Sequence, residues 1–393
     1  MFVYADNAAT THIDPDVVKA MMPALGELYG NPSTIYSKGR EAREALDKAR
    51  EQVAKAINCR PQEIYFTSCG TESDNWAIRG ITKHYAAKKG KHIISTNIEH
   101  HAVLETLKAM EKEGYEVTFL PVNEEGFITA QQVEDAIRPD TVLITVMTAN
   151  NEIGSIQPIE EIAKVAKEHN VFFHTDAVQA VGHIPVDVQK MGVDLLSLSG
   201  HKFHAPKGVG ALYVRRGVLP DNLMNGGGQE RSRRPGTENM AGILAIGAAI
   251  EKATANLERD MAYVASLRDR LIDGIVKAIP HCKVNTPSHD RLPGTVNVSI
   301  KYIEGESMLL LLDMNGICAT SGSACASGDL DPSHVLLAIG LPHEIAHGSV
   351  RFSFCTENTM EEVEYILEVL PKIAQRLREM SPLWENVKNQ ETL

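Results

Sequence analysis

Lys202 lies in "LSLSGHKFHAPKGVGALYV", between an apolar run ending at Leu198 and a second starting at Gly210, with Ser199 and His201 beside it. A lysine presented there is either an ordinary solvated loop cation or a Schiff-base lysine, whose amine works only when held neutral or as an imine. The segment alone leaves both open. Further along the chain, Cys325 sits in "TSGSACASGDLDPSHV", a run of Gly, Ser and Ala. It is either a free surface thiol or a nucleophile on a tether, since a run of such small residues buries little apolar surface.

Other polar groups fall where apolar runs end. In "FTSCGTESDN", Gly70 and Thr71 open a helix whose free amides and threonine hydroxyl could cradle a phosphate, although ordinary capping uses the same residues. Glu99, His100 and His101 follow "HIIST"; an imidazole there could stack on a planar ligand or shuttle a proton, or merely begin a solvated helix. Asn150 and Asn151 in "MTANNEIG" could bond a ring hydroxyl or a carboxylate, with turn formation as the alternative. "FFHTDAVQAVG" is more demanding, because Asp176 ends an apolar strand and Gln179 follows three residues later. A carboxylate so placed needs a cationic partner. The ring nitrogen of pyridoxal 5'-phosphate (PLP) would be one, kept protonated so that the ring can act as an electron sink.

These groups need a scaffold that brings strand ends together. From Ile64 the sequence alternates short β-branched-rich runs ("IYFTS", "HIIST", "YEVTFL", "TVLITV", "VFFHTD", "DLLSLS", "GALYV") with helical spacings from Glu72, from Ala102, over 131–137 and over 159–168. This predicts an α/β fold with a mostly parallel sheet covered on both faces. Its polar clusters should gather at one sheet edge. Helices are also expected over 16–28, 38–57 and, as one long bridge, 239–279. A smaller α+β part should follow, with strands near 295–300, "ICATS" and "SVRFSF", and helices over 306–314, 333–339 and from Thr359. The expected domains are 15–256, and 1–14 plus 257–393. Cys318 and Cys69 read as packing thiols.

With 39 basic and 51 acidic residues the chain carries a net charge of -12, which argues against non-specific nucleic-acid binding. No window approaches a membrane span and no leader pattern is evident, so a cytoplasmic enzyme is expected. Six scattered cysteines without a CxxC pair suit reduced thiols better than disulfides or an intrinsic metal site.

Taken together, "TSCGTESDN", "ANNEIG", "HTDAVQAVG", "SLSGHKFHAPKGVG", "RPGTEN" and "TSGSACASG" resemble the NifS/IscS class of cysteine desulfurases, in order and spacing, over practically the whole chain. "GGGQERSRRPGTEN" is closer to NifS, and the segment after Cys325 lacks the motif of selenocysteine lyases. The resemblance implies a fold-type I PLP-dependent homodimer that converts L-cysteine to L-alanine and passes sulfur as a persulfide to a NifU/IscU-like iron-sulfur scaffold protein. It implies that Lys202 carries PLP as a Schiff base and moves the substrate α-proton. Gly70, Thr71, Ser199 and His201 would hold the phosphate, joined by Thr237 from the other subunit. His100 would stack on the ring and act in catalysis, Asp176 would pair with the ring nitrogen, and Gln179 would contact the phenolic oxygen. Asn151 would stand between cofactor and substrate, and Arg351 would clamp the substrate carboxylate. Cys325 would be the nucleophile and, with a scaffold, a transient cluster ligand. An aminotransferase, selenocysteine lyase or kynureninase-like enzyme is the alternative; it would keep Lys202 and Asp176 but, apart from the lyase, have no use for Cys325.

Overall fold

A computed structural model of the chain describes residues 1–321, 332–382 and 384. In chain order the first half contains β1 (Val3–Tyr4), α1 (Pro15–Met21), α2 (Ser37–Ala56), β2 (Ile64–Thr67), α3 (Gly70–Lys89), β3 (His92–Thr96), α4 (His101–Lys112), β4 (Glu116–Leu120), α5 (Ala130–Ala136), β5 (Thr141–Thr145), α6 (Ile159–Glu168) and β6 (Phe172–Asp176). There follow α7 (Val188–Met191), β7 (Leu195–Ser199), β8 (Gly210–Val214), α8 (Gln229–Ser232), α9 (Met240–Ala255), α10 (Leu257–Ala278), β9 (Cys282–Val284) and β10 (Thr295–Ile300). The last elements are α11 (Gly305–Met314), β11 (Ile317–Cys318), α12 (His334–Ala338), α13 (His343–Ala346), β12 (Ser349–Ser353) and α14 (Met360–Glu379).

Seven strands form one sheet in the order β2-β8-β7-β6-β5-β3-β4. Only β8 runs against the others, pairing antiparallel with both β2 and β7. Alternate side chains of each strand enter different layers, as the two-residue period requires. Ile94, Ile144, Phe173 and Leu196 join the core beneath α2, α6 and α9, whereas Ile93, Leu143, Leu195 and Leu212 pack with Trp76 and Ile81 of α3 and Leu107 of α4. Because both faces are covered, the central strands are almost continuously apolar. A second sheet, β12-β10-β9, is antiparallel and shares a separate core with α10 and α14 through Leu267, Leu271, Val298, Phe352, Ile366 and Leu370. The N-terminus reaches this core by pairing β1 in parallel with β11. Among the described residues no helix is long and apolar enough to cross a membrane.

Several boundaries differ from the sequence expectation. The helix expected over 16–28 ends at Met21 and tightens into a 3-10 turn over Met22–Leu25. Pro23 explains the break, since it lacks an N–H and its ring clashes with the preceding turn. The bridge expected over 239–279 is two helices, because Asn256 leaves the helical region (φ -132°, ψ 32°). The "ICATS" strand shrinks to Ile317–Cys318, and Cys318 is half-buried rather than a core thiol. β1, β9, α7, α8 and α13 are each too short to show a period.

One buried ion pair joins three of these pieces. Arg50 of α2 makes a bidentate contact with Glu230 of α8 (2.8 and 2.7 Å), also donates to Ile64 O, and lies over the Phe66 ring at 4.8 Å. Glu230 accepts from Phe66 N–H as well, in a left-handed backbone (φ 44°). Removing one partner strands the other charge in the core. Arg50→Ala should therefore cost roughly 3–5 kcal/mol of stability, read from urea unfolding; a loss under about 1 kcal/mol would show that the pair is dispensable.

Candidate active site

The C-terminal ends of β7, β6, β5 and β3 open onto one cavity, as expected for the ligand edge of such a sheet. Gly70, Thr71, His100, Asn151, Asp176, Gln179, Ser199, His201, Lys202 and Arg351 all line it. Thr237 does not; it is exposed in the loop before α9. Cys325 lies outside the described residues. Cys69, expected as a packing thiol, instead precedes α3 at its N-terminus and lines the cavity half-buried.

Lys202 ends the short turn after β7, and its Nζ donates to the carbonyls of Ala8 (2.7 Å) and Ala9 (2.8 Å). Two main-chain acceptors from the N-terminal segment thus aim the amine. Gln179 Nε2 donates to the same Ala8 carbonyl (2.9 Å), which leaves its second hydrogen for another acceptor. Asp176 is 6% exposed, and its Oδ1 accepts from Val178 N–H (2.9 Å). Burial raises its pKa, opposed by that N–H and by the Lys202 charge.

A second carboxylate stands behind it. Asp74, on the inner face of α3, is 1% exposed, and its Oδ1 has no hydrogen-bond partner. Burial and the neighbouring Asp176 charge push its pKa well up. Two carboxylates this close cannot both ionise cheaply, so Asp74 holds the proton and Asp176 the charge. His174 Nε2 approaches Asp74 Oδ1 at 3.6 Å, but this is not an ion pair. Burial lowers the His174 pKa to about 3, and the neutral ring bonds Thr145 (2.8 Å) and Ser197 (3.0 Å).

His100 caps α4. Its Nδ1 accepts from Ala102 N–H (3.1 Å), which places the ring proton on Nε2. Burial, then the nearby Lys202 charge, lowers its pKa to about 4, and burial first lowers that of His201 to about 4. Both rings are neutral near pH 7. Asn150 is fully buried and serves the turn, its side chain accepting from Glu152 and Ile153 N–H groups, whereas Asn151 reaches the cavity.

Arg351, on β12, donates to Asn151 O and to Asp6 Oδ1, each at 2.8 Å, and its buried Nε has no partner. Its main chain also bridges to Thr320, the last strand-paired residue before the segment bearing Cys325. Beyond that segment Ser333 donates to the buried Glu152, and His334 bonds the Glu99 carbonyl (3.0 Å). The two flanks of the Cys325 segment are therefore tied to cavity-lining Arg351 on one side and, on the other, to Glu152 and Glu99, the chain neighbours of cavity-lining Asn151 and His100.

The donor set fits PLP. Ser199 Oγ is buried without a partner beside the N-terminus of the 20-residue helix α3 and the Thr71 hydroxyl, a combination suited to a phosphate. Asp176 would supply the anion for a ring nitrogen, and neutral His100 would offer a ring to stack against it. Asp74, His174, Asp6 and the Ala8 and Ala9 carbonyls were not singled out from sequence. Asp74 sits in a quoted motif, but its inward direction needs the helix phase, and main-chain carbonyls have no sequence signature.

Glu99 carries a separate consequence. It is buried, accepts from Thr96 Oγ1 and Met147 N–H, and burial raises its pKa to about 8. The folded state then holds a proton that the unfolded state has lost, so stability falls as pH rises from the ordinary Glu range through about 8. Glu99→Gln should flatten that decline in urea unfolding of the cofactor-free protein; an unchanged slope would show that Glu99 titrates normally.

Residues 3–366 match the family model described as aminotransferase class-V. A protein named cysteine desulfurase IscS from Clostridium botulinum (strain Hall) is 56% identical over 393 residues, covering 99% of this chain and 98% of the relative. Another of that name from Methanosarcina thermophila is 55% identical over 382 residues, with 97% and 94% covered. A solved structure titled NifS-like protein superposes with a TM-score of 0.90 at 40% identity, covering 96% of this chain and all of that one; a structure titled SspA in complex with cysteine gives 0.81 at 36%, covering 91% and 100%. With the cavity arranged as described, the chain belongs to the class-V aminotransferase family and, within it, to the cysteine desulfurases.

Proposed function

We propose that this chain converts L-cysteine to L-alanine with PLP and takes the sulfur onto Cys325 as a persulfide. The observation that carries the proposal is the convergence of Lys202, Asp176, His100 and Arg351 on one cavity, with the flanks of the Cys325 segment tied to Arg351 and to Glu152, the neighbour of cavity-lining Asn151. PLP, when bound, supplies the electron sink that lets bonds near an amino acid's Cα break heterolytically.

The residues of the chain do the rest. Gly70, Thr71, Ser199 and His201 hold the phosphate, and Asp176 keeps the ring nitrogen charged, while Gln179 bonds the phenolic oxygen with its free hydrogen. Lys202 is the attachment point and carries the substrate α-proton at Nζ, with Ala8 and Ala9 setting its direction. Arg351 takes the substrate carboxylate in place of Asp6, using two parallel guanidinium donors, and Asn151 stands between substrate and cofactor. His100, with its proton on Nε2 and a depressed pKa, acts as a stacked hydrogen-bond donor rather than as the base for the thiol. Cys325 thiolate attacks the substrate sulfur. An S–S bond forms, the Cβ–S bond breaks with its electron pair left on the three-carbon fragment, and Cβ gains the proton that the sulfur loses.

The proposal extends to assembly. Thr237, exposed and away from its own cavity, would complete the phosphate site of a second copy in a homodimer. The persulfide would pass in the cytoplasm to an iron-sulfur scaffold protein of the NifU/IscU type, with Cys325 as a transient cluster ligand and no intrinsic metal in the reaction. The domains would be 15–256, and 1–14 plus 257–393, a division supported by the helix break at Asn256.

Purified protein given L-cysteine should produce alanine and show a shift in cofactor absorbance. Cys325→Ser should cut alanine release by about 10²-fold or more while keeping the cofactor band, and normal turnover in that variant would remove the desulfurase assignment. Arg351→Ala should lose roughly 10- to 100-fold in kcat/KM, the worth of a charge-assisted pair; an unchanged value would place the carboxylate elsewhere.

A further inference from the structure

The N-terminal segment that aims Lys202 runs on to His12, where three metal-ligating side chains meet. His12 precedes α1, His204 lies two residues beyond Lys202, and Glu357 follows β12. One ligand atom from each falls within 4.8 Å of the others, and His12 Nδ1 is 3.0 Å from Glu357 Oε2. Around a tetrahedral ion with bonds of about 2.0–2.2 Å, neighbouring ligand atoms stand roughly 3.3 Å apart. The closure required is small, and His12 and Glu357, 54% and 46% exposed, have freedom to make it.

Two features go beyond proximity. His204 Nδ1 is 3.2 Å from the His12 carbonyl. A carbonyl only accepts, so the proton of a neutral ring sits on Nδ1 and the Nε2 lone pair is left free. Metal-binding histidines are oriented in this way, by a hydrogen bond from the nitrogen that does not ligate. His204 also holds a left-handed backbone (φ 67°), fixed by its N–H to Thr11 Oγ1 (2.8 Å) and by Asp14 N–H to its carbonyl (3.1 Å). A side-chain-bearing residue pays for that conformation by roughly 1–2 kcal/mol, and such strain collects at functional positions.

We propose that His12, His204 and Glu357 form a site for a divalent cation of the Zn2+ class, with water completing the coordination. Two imidazoles and one carboxylate suit Zn2+ and its borderline neighbours rather than Mg2+ or Ca2+, which prefer all-oxygen shells. The ion replaces the direct His12–Glu357 contact. It cross-links the N-terminal segment, the Lys202 loop and the turn after the Arg351 strand, three stretches that otherwise meet through hydrogen bonds. The site is separate from the cofactor cavity, which none of the three residues lines.

The test is Zn2+ titration of the chelator-treated, dialysed full-length holoenzyme against a chromogenic competitor. Wild type should bind one equivalent that weakens at least tenfold in His12→Ala and in Glu357→Gln, both surface changes that leave the fold intact. His204→Asn, which tolerates the left-handed backbone, should behave alike. Saturating Zn2+ should raise the thermal midpoint of wild type, since the ion binds only the folded arrangement, and the shift should vanish in the variants. Co2+ in the same site should give visible bands without thiolate charge transfer. The proposal fails if no equivalent binds, if affinity is unchanged in His12→Ala and Glu357→Gln, or if binding disappears on alkylating the cysteines.

Discussion

The arrangement of the site follows from one buried negative charge. Asp176 ends a central strand at 6% exposure with a backbone N–H on one oxygen, and a carboxylate in such surroundings is expensive without a cation. Asp74 behind it stays protonated and offers no positive charge, and His174 is too deeply buried to compensate by charging. The cation must come from the cavity side. Lys202 provides part of it as a nearby positive charge, and a protonated ring nitrogen in contact would provide far more.

The N-terminal segment is the second constraint, because it links that charge to the rest of the molecule. Asn7 donates to the Ser353 carbonyl (2.9 Å) and to Asn358 (3.1 Å), Ser353 Oγ bonds Ala8 N–H (2.8 Å), and Thr11 bonds the His201 carbonyl (3.0 Å). Within these few residues lie the Ala8 and Ala9 carbonyls that aim Lys202 and the Asp6 carboxylate that holds Arg351. One short turn therefore sets the distance between the amine and the guanidinium. The buried core of the antiparallel sheet and that of the large sheet meet at the same place, since β1 and Arg351 belong to the former and Lys202 to the latter.

Much of this was legible in the sequence where periodicity or strand ends carry it. The alternation of short apolar runs with helical spacings marked all strands of the large sheet, and the helix over Ile159–Glu168 is bounded as expected. Asp176 and Lys202 were found because a charged residue that interrupts an apolar run has few ordinary explanations. Asp74 escaped because an acid in the first turns of a helix is normally dipole complement, and only the rotation of α3 turns it inward. His174 follows two phenylalanines in a buried strand, where an imidazole reads as an ordinary core residue. Lys202's partners escaped because they are carbonyls. The break at Asn256 escaped too, since the apolar spacing continues on both sides of it.

Loading the cavity must satisfy each charge as it arrives. A ring cation beside Asp176 would lower the carboxylate's pKa and reinforce the placement of the proton on Asp74. A phosphate would bring two negative charges to the α3 N-terminus and to the unpartnered Ser199 hydroxyl, where neutral His201 would offer a ring N–H donor. A substrate carboxylate would meet Arg351 already paired with Asp6, so binding would exchange one anion for another instead of desolvating a bare guanidinium. The unpartnered Nε of Arg351 would tip that exchange, because a bidentate ligand can use a donor that Asp6 leaves idle. Asp6 would thus keep the empty clamp in shape, and its release on substrate binding would free the N-terminal segment at the point where it also aims Lys202.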